Sequence, residues 1–392
     1  MTRSAAVYLD NAATTKLDPE VLDAMLPLMT EQFGNPSSIH SHGRAVRSAI
    51  EKARKTVASL LNTSPAEIFF TSGGTEADNT AIRSSIETYG LKHAITSPLE
   101  HHAVLHTLQH LEKQGTIQLS LVNIDEKGHI DLAHLEELLR QNRTVGQGRS
   151  LVSLMHGNNE IGNMLNLNRV GELCRSYDAV FHSDTVQTMG HFQHDLQQLP
   201  VDFIVGSGHK FHGPKGVGFL YVNAEQVKIH PFMHGGAQER NMRGGTENVY
   251  GIVGLAKALE IAYREMDAHR QHIMGLKRRM IEQLRASMPD VQFNGDSADV
   301  ENSLYTVLNV SLPASDMSDM LLFSLDIARI SASGGSACSS GSNIGSHVLG
   351  ALPGLDAERG YVRFSFGKYN TAEEIDYAVA TLVGLYQKEL VK

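Results

Sequence analysis

The chain has 392 residues, 41% of them hydrophobic and 20% charged, an ordinary composition for a soluble globular protein with enough length for two or three domains. Its 34 basic and 43 acidic residues give a formal charge of −9 without a long single-sign run, which argues against nucleic acid or an anionic membrane as a partner. Two cysteines, Cys174 and Cys338, are too few for a disulfide framework and lack the paired spacing of a zinc or self-contained iron–sulfur site, so no metal is expected and a reducing cytoplasm is the expected location.

From the N-terminus, Met1–Asp10 enters a strand-like run almost at once, leaving no room for a signal peptide, and nowhere do about 18 apolar residues run together. Short apolar runs bounded by Gly, Ser or Pro then recur at Glu67–Thr71, His93–Ser97, Ile117–Val122, Ser150–Met155, Ala179–Ser183, Asp202–Gly206 and Gly216–Val222. Between them lie segments of 3.6-residue periodicity, among them Val46–Leu61, Ala103–Gln114 and Leu132–Gln141, the last with Asp131 in an N-cap position. Strands alternating with helices predict an α/β fold with a mainly parallel seven-stranded sheet covered on both faces.

The pattern changes near Val253, where one long amphipathic helix is expected to run to Met288 as a bridge between domains, with Lys277-Arg278-Arg279 on its solvated face. A smaller α+β portion follows, with strands at Tyr305–Ser311 and Tyr361–Ser365 and a closing helix at Ala372–Lys388. Between those strands, Ser331–Ser346 is rich in Ser and Gly and poor in large side chains, the composition of a mobile loop, and it carries Cys338. Cys174, within Val170-Gly-Glu-Leu-Cys-Arg, reads as a small buried hydrophobe.

Chemistry concentrates at strand ends. Lys210 follows the apolar run Val201–Val205, and Asp184 closes another strand in Phe181-His-Ser-Asp184, so both point toward the crevice where α/β sheets bind ligands. A lysine amine condenses with an aldehyde cofactor, and a carboxylate facing a pyridinium nitrogen keeps that ring protonated as an electron sink. Phe69-Phe-Thr-Ser-Gly73-Gly74-Thr75 supplies a strand, a glycine turn and a helix start whose free N–H groups suit a phosphate, while no dinucleotide or P-loop motif is present. Arg363, a charge within an apolar strand, is expected to meet a bound anion.

Over essentially its whole length the sequence resembles the pyridoxal-phosphate-dependent cysteine desulfurases of aminotransferase class V, of the bacterial type with the longer cysteine loop. The matching pieces include Tyr8-Leu-Asp-Asn-Ala-Ala-Thr-Thr15, Phe33-Gly-Asn-Pro-Ser-Ser38, Glu100-His101, His156-Gly-Asn-Asn159-Glu-Ile-Gly162, Asp184 to Gln187, Ser207 to Lys210, Met242-Arg-Gly-Gly-Thr246, Gly334-Gly-Ser-Ala-Cys338 and Val362-Arg363-Phe-Ser. Gly157 and Gly245 depart from the bulkier or hydroxyl residues expected there.

The resemblance implies the fold-type I architecture of such enzymes, with residues 16–255 as a large cofactor-binding domain and 1–15 plus 256–392 as a small one. It implies that Lys210 carries pyridoxal 5'-phosphate, Asp184 pairs with the ring nitrogen, Gln187 meets the ring hydroxyl oxygen and His101 stacks on the ring. Gly74, Thr75, Ser207 and His209 would hold the phosphate, joined by Thr246 from a second subunit of a homodimer, and Asn159, Arg363 and Asn35 would take the carboxylate of L-cysteine. Lys210 or His101 would move the substrate proton, and Cys338 would accept the sulfur as a persulfide for an acceptor protein in iron–sulfur cluster assembly or thio-modification. An aminotransferase or selenocysteine lyase on the same scaffold would use Lys210 without requiring Cys338, and a silent sulfur-relay subunit would leave the catalytic positions idle.

Overall fold

The computed structural model describes residues 6–144, 148–315, 318–334, 345–356 and 358–387. Its strands are β1 (Val7–Tyr8), β2 (Ile68–Thr71), β3 (His93–Thr96), β4 (Gln118–Leu121), β5 (Ser150–Ser153), β6 (Val180–Ser183), β7 (Phe203–Ser207), β8 (Gly218–Val222), β9 (Gln292–Phe293), β10 (Val307–Leu312), β11 (Ile330–Ser331) and β12 (Gly360–Ser365). The helices are α1 (Pro19–Thr30), α2 (Ser41–Leu60), α3 (Gly74–Tyr89), α4 (His102–Lys113), α5 (Leu132–Thr144), α6 (Leu167–Ser176), α7 (Val249–Arg264), α8 (Met266–Ser287), α9 (Leu321–Ile327), α10 (His347–Ala351) and α11 (Ala372–Gln387).

The seven apolar runs expected to be strands form one sheet in the order β2-β8-β7-β6-β5-β3-β4. Strands β4, β3, β5, β6 and β7 pair in parallel, and β8 runs antiparallel to both β7 and β2. Successive side chains alternate between faces. Val152, Phe181 and Ile204 enter an apolar layer with Val57 and Leu255, from α2 and α7; Leu151, Val180 and Val205 enter another with Ala77, Ile82 and Val104, from α3 and α4. Burial on both faces is why these strands read as unbroken apolar runs. Cys174 on α6 sits in the first layer, and burial raises its thiol pKa far above the ordinary thiol range.

The long helix expected over Val253–Met288 is two helices, α7 and α8, separated at Glu265, whose backbone leaves helical geometry at φ −111°, ψ 12°. The stripe serves two cores: Leu255 and Leu259 of α7 pack on the large sheet, whereas Ile273, Met280 and Leu284 of α8 pack with β10, β12 and α11. The break lets each helix present its apolar face to its own partner.

Lys277 corrects a second expectation. Arg278 and Arg279 are exposed and pair with Glu301 and Asp376, but Lys277 is fully buried, its Nζ donating to Ser303 Oγ at 2.8 Å and to the Leu304 carbonyl at 3.3 Å. Burial depresses its pKa to about 7, so between pH 7 and the ordinary lysine value the unfolded chain binds more protons than the folded one and stability rises with pH. Lys277→Met removes that slope. Urea unfolding at pH 7 and pH 9.5 is expected to show the wild type gaining a few kcal/mol on the variant over this interval.

The N-terminal segment joins both parts. Strand β1 pairs in parallel with β11, and Val7 and Leu9 belong to the core formed by α8, β10, β12 and α11. Beyond it the Ala12 N–H donates to Ser365 Oγ at 2.8 Å and the Thr15 N–H to the His209 carbonyl at 2.9 Å, bringing this segment to the end of β7.

Candidate active site

A cavity of about 190 Å³ opens at the ends of β6 and β7, beside the start of α3. This is where an open α/β sheet offers backbone groups to a ligand. Ten of the residues singled out from the sequence line it: Gly74, Thr75, His101, Asn159, Asp184, Gln187, Ser207, His209, Lys210 and Arg363.

At one end, α3 begins at Gly74 without a side-chain cap, since its N-cap is Gly73 at φ 157°, ψ −178°, a conformation for which glycine is suited. A Cβ on Gly74 would lie 2.7 Å from Val186 Cγ2, so the helix start can approach β6 and β7 this closely only as glycine. The uncapped N–H groups, with Thr75, Ser207 and His209 around them, make an anion cradle. The His209 imidazole is held by Thr14 Oγ1 at 3.1 Å, and burial and the Lys210 charge lower its pKa to about 4.

At the other end stands Asp184, fixed through Oδ1 by the Val186 N–H at 2.9 Å. Burial raises its pKa, opposed by His101 and Lys210, so a cationic ring nitrogen would relieve a real desolvation cost. Asp78, which no role in the sequence reading anticipated, lines the same cavity with its pKa raised well above the carboxylate range by burial, Asp184 and Glu100. Its Oδ1 lies 3.3 Å from His182 Nε2 without forming a hydrogen bond, while His182 Nδ1 is bonded to Ser153 Oγ at 2.8 Å. His101 caps α4: its Nδ1 accepts from the Ala103 N–H at 3.2 Å, and burial lowers its pKa. That bond keeps the Nδ1 lone pair occupied, so the neutral ring carries its hydrogen on Nε2.

Between these ends Lys210 Nζ donates to the carbonyls of Ala12 at 2.6 Å and Ala13 at 2.9 Å, and Gln187 Nε2 donates to the same Ala12 carbonyl at 3.0 Å. The N-terminal segment thus positions the amine, a function invisible in Tyr8–Thr15 as a string. An anion cradle, a buried carboxylate and a lysine amine between them fit a ring bearing a phosphate, a basic ring nitrogen and an aldehyde.

Arg363 departs from its expected environment. It is 1% exposed, but its charge is met by Asp10 rather than left for an anion alone: Nη2 donates to Asp10 Oδ1 at 2.9 Å and Nη1 to the Asn159 carbonyl at 3.0 Å, while Nε has no partner among the described residues. The chain supplies the counter-charge from a segment some 350 positions away, which local sequence does not reveal.

Two expected site residues lie elsewhere. Asn35 is exposed on the loop between α1 and α2, its Oδ1 accepting from the Ser37 N–H at 2.9 Å. Thr246 borders a separate hollow with Thr71, Ser72 and Arg243. Its segment is fastened by a buried, two-pronged ion pair between Arg54 and Glu239 at 2.7 and 2.8 Å, and by Arg243 on Glu76 at 2.8 Å. Cys338 lies outside the described residues; of its run, Ser333 donates through Oγ to Asp10 Oδ1 at 2.9 Å, and just after the run His347 donates through Nε2 to the Glu100 carbonyl at 2.9 Å. Gly157, one of the departures, has a packing reason, because a Cβ there would meet Thr188 Cγ2 at 2.7 Å.

The aminotransferase class-V family model matches residues 7–378. Cysteine desulfurase IscS of Dictyoglomus turgidum is 42% identical over 386 residues, covering 97% of this chain and 95% of that protein. A solved NifS-like protein superposes with a TM-score of 0.88 at 37% identity, covering 98% of this chain and all of that one. SspA, solved in complex with cysteine, superposes with a TM-score of 0.78 at 31% identity, over 93% of this chain and all of that one. With this fold and this cavity, the chain belongs to the aminotransferase class-V family.

Proposed function

We propose that the protein is a pyridoxal-phosphate-dependent cysteine desulfurase, converting L-cysteine and the Cys338 thiol into L-alanine and a Cys338 persulfide. The observation that carries the reading is the convergence of Lys210, Asp184, the uncapped start of α3 and Arg363 on one cavity. Lys210 would hold the cofactor, Asp184 its ring nitrogen, Gln187 its ring hydroxyl oxygen, His101 its face, and Gly74, Thr75, Ser207 and His209 its phosphate. Bound there, pyridoxal phosphate supplies an aldehyde for the substrate amine and a protonated ring that stores the electrons released at Cα.

The side chains divide the remaining work. Arg363 and Asn159 receive the substrate carboxylate, which orients Cα toward the Lys210 amine. Because the Nδ1 of His101 is engaged by the helix, its Nε2–H is the donor facing the reaction and Lys210 is the base that takes the Cα proton. Cys338 as thiolate forms the new S–S bond while the substrate Cβ–S bond breaks; its electron pair stays with carbon, which takes up the proton that completes alanine. Mass spectrometry after incubation with L-cysteine is expected to show +32 Da on Cys338, the added mass of one sulfur, with stoichiometric alanine. Pyruvate-dependent turnover without that mass shift would overturn the reading in favour of transamination.

The site requires two subunits in this reading, because Thr246 is absent from the cavity of its own chain. The exposed apolar side chains Met29, Phe33 and Ile39 supply a surface suited to a partner copy. Thr246→Ala is expected to weaken cofactor retention about tenfold, as loss of one phosphate hydrogen bond does. Mixing it with Lys210→Ala subunits should restore one tight site per mixed dimer, seen by cofactor titration; no recovery would mean that each chain builds its site alone. The division at residues 16–255 against 1–15 and 256–392, delivery of sulfur to an acceptor protein for iron–sulfur cluster assembly or thio-modification, and a cytoplasmic location belong to the same proposal. Among the described residues no helix is long and apolar enough to cross a membrane.

A further inference from the structure

The carboxylate of Asp10 has a place that the reaction as proposed does not use. Its Oδ1 accepts from Arg363 Nη2 at 2.9 Å and from Ser333 Oγ at 2.9 Å. Backbone bonds join the three segments: Arg363 N–H to the Ser333 carbonyl at 2.6 Å, Ser333 N–H to the Arg363 carbonyl at 3.2 Å, and, beside Asp10, Ser365 N–H to the Leu9 carbonyl at 2.7 Å. The ion pair is therefore built into three adjoining segments. Arg363 is 1% exposed, and a guanidinium so buried is stable only with a counter-charge.

We propose that Asp10 is a surrogate for the substrate carboxylate, neutralising Arg363 in the empty site and competing with the incoming amino acid for it, so that it sets how tightly carboxylate ligands are held. This rests on the reading of Arg363 as the carboxylate receptor. A substrate carboxylate arriving at Arg363 finds one positive charge already shared and a second negative charge beside it. Removing the Asp10 charge leaves Arg363 to the ligand alone, at the expense of the ligand-free state. Asp10 acts through Arg363 and is an affinity-setting, positioning residue; its effect falls on ligands that carry a carboxylate and on no others.

The test compares L-alanine, the product, with ethylamine, which is alanine without its carboxylate, by titrating the visible absorbance of the cofactor-loaded protein. Asp10→Asn is expected to bind L-alanine between about fivefold and about a thousandfold more tightly, the range for removing a like charge about 4 Å away as the effective dielectric constant falls from that of water to about 20. Its affinity for ethylamine should be unchanged, and Asp10→Glu, which keeps the charge, should stay within about threefold of the wild type for both ligands. Without amino acid, Asp10→Asn should melt several degrees lower, and saturating L-alanine should raise its melting temperature more than that of the wild type. If Asp10→Asn does not load cofactor, Asp10→Ser carries the same expectations. Wild-type protein that does not distinguish L-alanine from ethylamine would remove the carboxylate role of Arg363 and this inference with it. A wild type that distinguishes them, alongside an Asp10→Asn or Asp10→Ser variant whose L-alanine affinity is unchanged or weaker, would overturn the role of Asp10 alone.

Discussion

Lys210→Ala is expected to lower turnover with L-cysteine by at least about a thousandfold and to abolish the visible absorbance of lysine-bound cofactor, because in the function proposed above the one residue serves as covalent anchor and as base. Among the described residues no neighbour is placed to replace it. The amine stands where β7 ends, gripped by the carbonyls of Ala12 and Ala13, and the imidazole of His101 has its Nδ1 committed to the Ala103 N–H. Neutral His209, held by Thr14 and with its pKa lowered to about 4, has no amine to offer an aldehyde. Added alkylamines should therefore restore part of the activity, since they replace the base, while cofactor stays reversibly bound at the α3 cradle. An absorbance band surviving in Lys210→Ala at the wild-type intensity would show that another amine holds the cofactor.

Cys338→Ser is expected to keep that absorbance and its response to L-cysteine but to lose sulfide and persulfide production by several orders of magnitude, because a serine hydroxyl is not ionised at neutral pH and forms no bond to sulfur of comparable stability. In the proposed function absorbance reads cofactor and substrate binding at Lys210 and Arg363, whereas a sulfide assay reads the later transfer, so the two signals should separate in this variant. Cys174 offers no detour: it is buried within the first apolar layer of the sheet, and its thiol pKa is raised far above neutrality. Undiminished sulfide release from Cys338→Ser would exclude the persulfide step. Loss of absorbance as well would mean that the substitution disturbs the cofactor site.

The α/β class was legible because strands buried on both faces leave unbroken apolar runs, and each of the seven runs from Glu67–Thr71 to Gly216–Val222 coincides with a strand of the main sheet to within two residues at either end. Strand-end position likewise made Asp184, Ser207 and Lys210 stand out, and the glycine pair before Thr75 marked the start of α3. What was not legible shares one cause: it depends on segments distant in sequence. The break at Glu265 arises because α7 and α8 belong to different cores, which a continuous amphipathic stripe does not encode. Lys277 read as solvated because its immediate neighbours are charged, yet it is enclosed by the loop carrying Ser303 and Leu304.

Local sequence by itself determined the alternation of strands and helices, the glycine turn and the identities of the lysine, carboxylate, arginine and cysteine around which the chemistry is proposed. Periodicity and residue type are local properties, and they suffice for these. Only the tertiary structure decided that Ala12 and Ala13 hold the Lys210 amine, that His101 presents Nε2–H rather than a free lone pair, that Asp78 stands beside Asp184, and that Asp10 meets Arg363. Each of these is a contact whose energy is set by burial and distance between residues far apart in the chain, and burial and distance exist only once the chain has closed on itself.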